Sequence, residues 1–97
     1  MRTLLTVSME VGASNNAIKD GSLQKVIKET MDRLKPEAAY FLPIDGKRSA
    51  FFVFDLKDSA DIPSITEPFF LATNASIDFS PVMNAEDLQK GLASIMK

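Results

Sequence analysis

The chain of 97 residues is 45% apolar and 25% charged, and its eleven basic and thirteen acidic side chains leave a net charge of −2. Those proportions describe one compact domain, neither a disordered chain nor a multidomain enzyme. Cysteine and histidine are both absent, which excludes disulfides, a thiolate nucleophile, a Ser-His-Asp arrangement and the usual ligand of zinc, copper or haem.

A bound metal would have to be a hard cation held by oxygens, and the sequence has no spaced acidic loop of the calcium-binding kind, so neither metal nor cofactor is expected. The negative balance argues against a nucleic-acid partner. The opening residues Met1-Arg2-Thr3-Leu4-Leu5-Thr6 turn polar too soon for a signal-peptide core, and no apolar run reaches membrane length. No membrane partner and a cytoplasmic location are the expectation.

Residues 3–11 read as a strand with Leu5, Val7, Met9 and Val11 on one face and Leu4, Thr6, Ser8 and Glu10 on the other. Gly12 to Asn16 breaks the alternation and offers Ser14, Asn15 or Asn16 as helix caps. A helix then runs to about Leu34, its buried stripe formed by Leu23, Val26, Ile27, Thr30, Met31 and Leu34. Gly21 interrupts its beginning, so that residues 15–20 read as a separable short turn, and Pro36 ends it. Residues 37–43 and 47–56 form a hairpin around Asp45-Gly46, a pair suited to positive φ at both central positions.

Residues 58–74 are a second helical segment with Ile62, Ile65, Phe69 and Ala72 along one side. Pro63 suits its first turn, whereas Pro68 should kink or restart it. Residues 75–83 make the fourth strand, with Pro81 at an edge or end. Asn84 and Asp87 resemble a capping box for a last helix bearing Leu88, Leu92 and Ile95. The order is βαββαβ plus a C-terminal helix, the α+β, ferredoxin-like split pattern with a four-stranded antiparallel sheet, in a single domain over residues 1–97.

Two helices cover one face of such a sheet and leave the other bare. A wetted face should alternate to polar residues, yet Ala38-Ala39-Tyr40-Phe41-Leu42 and Ala50-Phe51-Phe52-Val53-Phe54 are apolar on both sides. Either Phe51 and Val53 or Phe52 and Phe54 therefore lie uncovered, and each large side chain is worth about 1.5–3 kcal/mol when buried. The expected cover is a second copy of the chain, sheet against sheet about a two-fold axis; the alternative is a C-terminal helix folded back over a monomer.

With these stretches, together with Ile62-Pro63-Ser64-Ile65-Thr66-Glu67-Pro68-Phe69-Phe70 and Phe79-Ser80-Pro81-Val82-Met83, nearly the whole chain resembles the dimeric α+β barrel superfamily. It looks most like the small uncharacterised members and, more distantly, like muconolactone isomerases and antibiotic-biosynthesis monooxygenases. The resemblance implies a homodimer that takes a small molecule or a protein partner between or beside its sheets. None of the shared stretches is a catalytic motif, so no family active-site residue carries over. The haem-binding relatives use a histidine, which is missing here.

The residues themselves suggest where chemistry would lie. With the apolar side of the first strand against the helices, Thr6, Ser8 and Glu10 point between the sheets. Asp78 and Ser80 join them from the neighbouring fourth strand and Tyr40 from the hairpin. Glu10 and Asp78 are then candidate proton acceptors in a partly apolar space, Tyr40 a donor or acid, and Thr6, Ser8 and Ser80 ligand-positioning hydroxyls. That set would suit a cofactor-independent isomerase or monooxygenase. Ser, Thr and Asp on a strand face also make an ordinary wet or interfacial surface.

Two other classes share the topology. RNA-recognition modules carry glycine and spaced aromatics on the third strand, where Arg48-Ser49-Ala50-Phe51-Phe52-Val53-Phe54-Asp55 has Ser49, Ala50 and Asp55 in the wrong places. Amino-acid-sensing modules use a loop glycine after the first strand, here Gly12, a residue that more often serves the turn.

Overall fold

In the computed structural model, which describes residues 1–96, the elements follow in the order β1 (Arg2–Ser8), α1 (Val11–Asp20), α2 (Ser22–Leu34), β2 (Ala38–Ile44), β3 (Lys47–Asp55), a 3₁₀ turn (Ser59–Asp61), α3 (Ile62–Thr73), β4 (Ser76–Pro81) and α4 (Ala85–Ile95). The four strands form one antiparallel sheet in the order β2-β3-β1-β4. The architecture is α+β, with α1, α2 and α3 packed together over one face of that sheet.

Register fixes which side chains meet the helices, because residues directly opposite share a face. On the helix side Ala39, Phe52, Leu5 and Phe79 form one row across all four strands, and Phe41, Ala50, Val7 and Ile77 form the next. Phe52 is the hub: wholly buried, it lies edge-on to Phe41 at 5.7 Å and tilted against Phe69 of α3 at 6.3 Å. Leu23 and Val26 of α2 and Ile65 of α3 complete this core. The stripe expected for the long helix is realised, with Ile27, Met31 and Leu34 flanking it.

β1 stops at Ser8 rather than continuing to residue 11. The alternation persists one step further, since Met9 is buried, but its N–H bonds the Arg48 carbonyl and the Glu10 N–H the Thr73 carbonyl, which turns the chain off the sheet. Glu10 is thus the residue preceding α1, and Val11, read as part of the strand, opens that helix 44% exposed. No side chain caps α1; of the expected caps, Ser14 and Asn15 lie inside the helix and receive Arg48 Nη1, each at 2.8 Å.

Gly21, at φ 83°, ends α1 and starts α2, so the interruption seen in the sequence is a left-handed joint between two helices. The turn at Asp45 (φ 52°) and Gly46 (φ 74°) has positive φ at both positions. Pro63 stands in the first turn of α3, but α3 runs through Pro68 without restarting. Proline cannot donate to the carbonyl four residues back; that carbonyl, of Ser64, instead accepts from Arg33 Nη1 of α2 at 3.3 Å. The edge strands each contain a proline, Pro43 in β2 and Pro81 in β4.

α4 begins with the expected capping box, in which Asn84 Oδ1 accepts the Asp87 N–H at 2.8 Å and Asp87 the Asn84 N–H at 3.2 Å. It then leaves the body, and the Cα framework measures 56 × 28 × 18 Å. α4 has no buried residue and packs substantially on no other element among the described residues. Arg2 Nη1, 3.6 Å from Asp87 Oδ2, holds its first turn beside the start of β1. No helix among the described residues is long and apolar enough to cross a membrane.

Candidate functional site

The sheet face away from α1, α2 and α3 is open. Its rows, read from β2 through β3 and β1 to β4, are Ala38-Val53-Leu4-Ser80, Tyr40-Phe51-Thr6-Asp78 and Leu42-Ser49-Ser8-Ser76. The choice left by the hairpin sequence is thereby resolved: Phe52 and Phe54 are in the core, and Phe51 and Val53 are uncovered. The open face is divided lengthwise. Its β2–β3 half is apolar, with Tyr40 66% exposed, and its β4 edge presents Ser76, Asp78 and Ser80 to water.

The expected site residues are distributed as follows. Thr6 and Ser8 are on the open face of β1, with Asp78 directly opposite Thr6 and Ser80 one step along β4. These four form the polar strip. Tyr40 lies in the same row as Thr6 and Asp78 but on the other edge strand. Three interstrand steps of about 4.8 Å put its backbone roughly 14 Å from that of Asp78.

Glu10 is off the sheet. Its carboxylate folds back at the α1 N-terminus, where Oε2 accepts from Asn74 Nδ2 at 3.4 Å. Because β1 ends two residues earlier, Glu10 does not share the open face with Thr6 and Ser8. Within one subunit, then, Glu10, Asp78 and Tyr40 do not converge on a common atom.

At the end of the face nearest the chain start, charge is concentrated. Arg2 and Asp55 are opposite each other, Arg2 Nε bonds Glu37, and Arg2 Nη1 approaches Asp87. Hydrogen bonding by Glu37, reinforced by its charge, holds the Arg2 guanidinium above its ordinary pKa. The cluster is exposed and its ions are mutually paired. No group of three or more acidic side chains is placed to hold a metal among the described residues.

Two larger hollows occur beside the helical layer. One, of about 610 Å³, is lined by Arg33, Lys35, Phe54, Leu56, Lys57 and neighbouring residues. The other, of about 380 Å³, is an apolar groove between α2 and the β2 edge, formed by Met9, Leu23, Ile27, Phe41, Leu42 and Pro43, with Arg48 and Ser49 at its margin. Neither is lined by any of the six candidate residues.

Leu4, Ala38 and Leu42 on the open face were not among the sequence candidates. The parity of β1 and β2 marks Leu4 and Ala38 as partners of the Val53 row, but only once the pairing is known. Compared with known proteins, the chain matches no family model and no curated sequence.

Proposed function

We propose that this is a ferredoxin-like domain that pairs through its open sheet faces into a homodimer of the dimeric α+β barrel type, and that it binds a small, largely apolar molecule between the two sheets. The observation that carries this reading is the uncovered row Tyr40-Phe51-Thr6-Asp78 together with Ala38, Val53 and Leu4 beside it. A half-face of this kind is unfavourable in water, by about 25 cal/mol for each Å² of apolar surface exposed. The chain's own C-terminal helix does not shield it, since α4 projects away.

The polar strip of Thr6, Ser8, Asp78 and Ser80 would orient the ligand through its hydroxyl, amide or amine groups, while Phe51, Val53 and Leu4 enclose its apolar part. Binding is favoured over acid–base catalysis because Tyr40 and Asp78 are held at opposite edges. The strand order, the antiparallel pairing and the one-sided helical layer support the ferredoxin-like assignment.

The test uses a convenience of the composition. Tyr40 is the one tyrosine and there is no tryptophan, so intrinsic fluorescence reports on the open face alone. Sedimentation velocity should give twice the chain mass at micromolar concentration. A panel of small aromatic and aliphatic acids, amides and alcohols should then include members that shift Tyr40 emission saturably, with the response reduced in Asp78→Asn. A monomer with Tyr40 freely quenched by acrylamide at every concentration would refute the proposal.

A further inference from the structure

We infer that α4 is an exchanged arm, whose Leu88-Leu92-Ile95 stripe docks in the apolar groove between α2 and β2 of a second copy of the chain. The inference rests on the homodimer proposed above and specifies a contact that the pairing of faces does not require.

α4 has eleven residues, with Gly91 in its interior, and buries none of them. Helices shorter than about 12–15 residues are marginal in water, and an interior glycine weakens them further. Its apolar residues nonetheless keep the spacing of one stripe: Leu88 is 46% exposed, Leu92 50% and Ile95 74%. A capped, amphipathic helix with nothing against its apolar side is half of an interface.

The chain also carries a matching half, which α4 cannot reach in its own subunit. The groove lies at the Met9 end of β1 and on the β2 edge, whereas β4 delivers the chain beside Thr3 at the opposite edge. Three interstrand steps and six residues of strand separate these corners, roughly 24 Å on the diagonal. Val82 is still bonded to the Arg2 carbonyl, so only Met83 and Asn84 link the sheet to the helix, and Asp87 is held by Arg2. Two extended residues and a helix of eleven span about 23 Å at most. Only the last turn would arrive, and the stripe could not lie in the groove. A second copy removes the restriction.

Size and charge fit the same occupant. The groove of about 380 Å³ is some two and a half times the ~150 Å³ left by cutting one buried leucine to alanine, room for branched aliphatic side chains from two successive turns. Its margin carries Arg48, with Lys47 next along β3, and α4 brings Glu86 in its first turn. The open face, four strands wide and about six residues long, offers roughly 400 Å² in plane, short of the ~600–1,000 Å² per partner of stable interfaces. Two exchanged arms bring the pair well into that range.

The absence of native cysteine makes the test direct. Chains carrying Leu92→Cys and differently tagged chains carrying Phe41→Cys, whose target is 52% exposed on the groove side, are mixed and treated with a short bis-maleimide. Ile27→Cys serves as the second groove position should Phe41→Cys lower the melting temperature. The expected product is a covalent heterodimer carrying both tags, with none from Leu92→Cys mixed with Leu71→Cys on the outer face of α3. Twice the chain mass in sedimentation without the arm–groove product overturns the exchange and leaves the paired faces standing. A monomer overturns both. Cross-linking within single chains of the doubly substituted Leu92→Cys/Phe41→Cys protein overturns the exchange by showing that the arm folds back.

Discussion

Arg33 of α2 donates to the carbonyl of Ser64, the acceptor that Pro68 leaves without its backbone partner inside α3. A neighbouring helix thus repairs the hydrogen-bond ladder at the point where the sequence breaks it. Removing Arg33 in an Arg33→Ala variant should lower stability by about 0.5–1.5 kcal/mol, the usual net value of one hydrogen bond. With Pro68→Ala, which restores an N–H to that turn, the same loss should fall by at least half. A double-mutant cycle measured by urea denaturation checks this, and additive losses would show that Arg33 acts elsewhere.

Adjacent residues on β3 should fail in opposite ways. Phe52 is buried under the helices and Phe51 faces the open side. Phe52→Ala should cost about 3–5 kcal/mol, a large share of the roughly 5–15 kcal/mol that holds a small domain folded, read as a drop in the urea midpoint. Phe51→Asp should keep a folded circular-dichroism signature while sedimentation moves from twice the chain mass to the chain mass. An unchanged dimer in Phe51→Asp would show that the open face is not where copies meet.

The joint between α1 and α2 carries a pH dependence of defined sign. Asp20 accepts the Ser22 N–H across Gly21 at 2.8 Å, and hydrogen bonding by the Ser22 side chain and backbone holds its carboxyl below the ordinary value. A lowered folded-state pKa stabilises the fold above the unfolded-state value, about 3.9, and that contribution disappears as pH falls through the folded-state value. An NMR titration should place the Asp20 midpoint below the ordinary aspartate value. In Asp20→Asn, the acid limb of the stability curve should become shallower.

Lys35, exposed and at φ 44°, ends α2 in a conformation that costs a residue with a Cβ about 1–2 kcal/mol. Lys35→Gly should therefore raise stability by about 0.5–1 kcal/mol, part of the gain being offset by the freer unfolded chain. The melting temperature should rise by about 2–8 °C. Gly21→Ala should do the reverse although no atom lies near the added methyl, because its φ of 83° is the obstacle.

Much of the fold was legible in the residues. The Asp45-Gly46 turn, Pro36 after α2, the Asn84–Asp87 capping box and the four strands all follow from local chemistry, whereas the ten-residue α1 reads only as a short turn ahead of the long helix. The start of α1 was not, because Val11 prolongs the two-residue alternation of β1 and no side chain caps the helix, so nothing local marks the boundary. That single boundary removed Glu10 from the face it was expected to share. The passage of α3 through Pro68 was hidden for another reason: its remedy comes from Arg33, 31 residues before the Ser64 carbonyl that it bonds. Parity put Asp78 on the face shared with Thr6, while for Tyr40 the hairpin pattern left both faces open until the pairing fixed it. Their separation depends on strand order, to which alternation within a strand is blind.

The prolines of the two edge strands bear on how large any assembly can grow. A sheet that invites stacking on its bare side could also recruit strands at its margins, and lengthening of that kind has no natural end. Pro43 and Pro81 each withhold a donor that an incoming strand would need. Growth by strand addition is thereby discouraged at both margins, and in the proposed homodimer a single mate would exhaust the flat surface. The same two prolines thus favour a finite particle over a fibre.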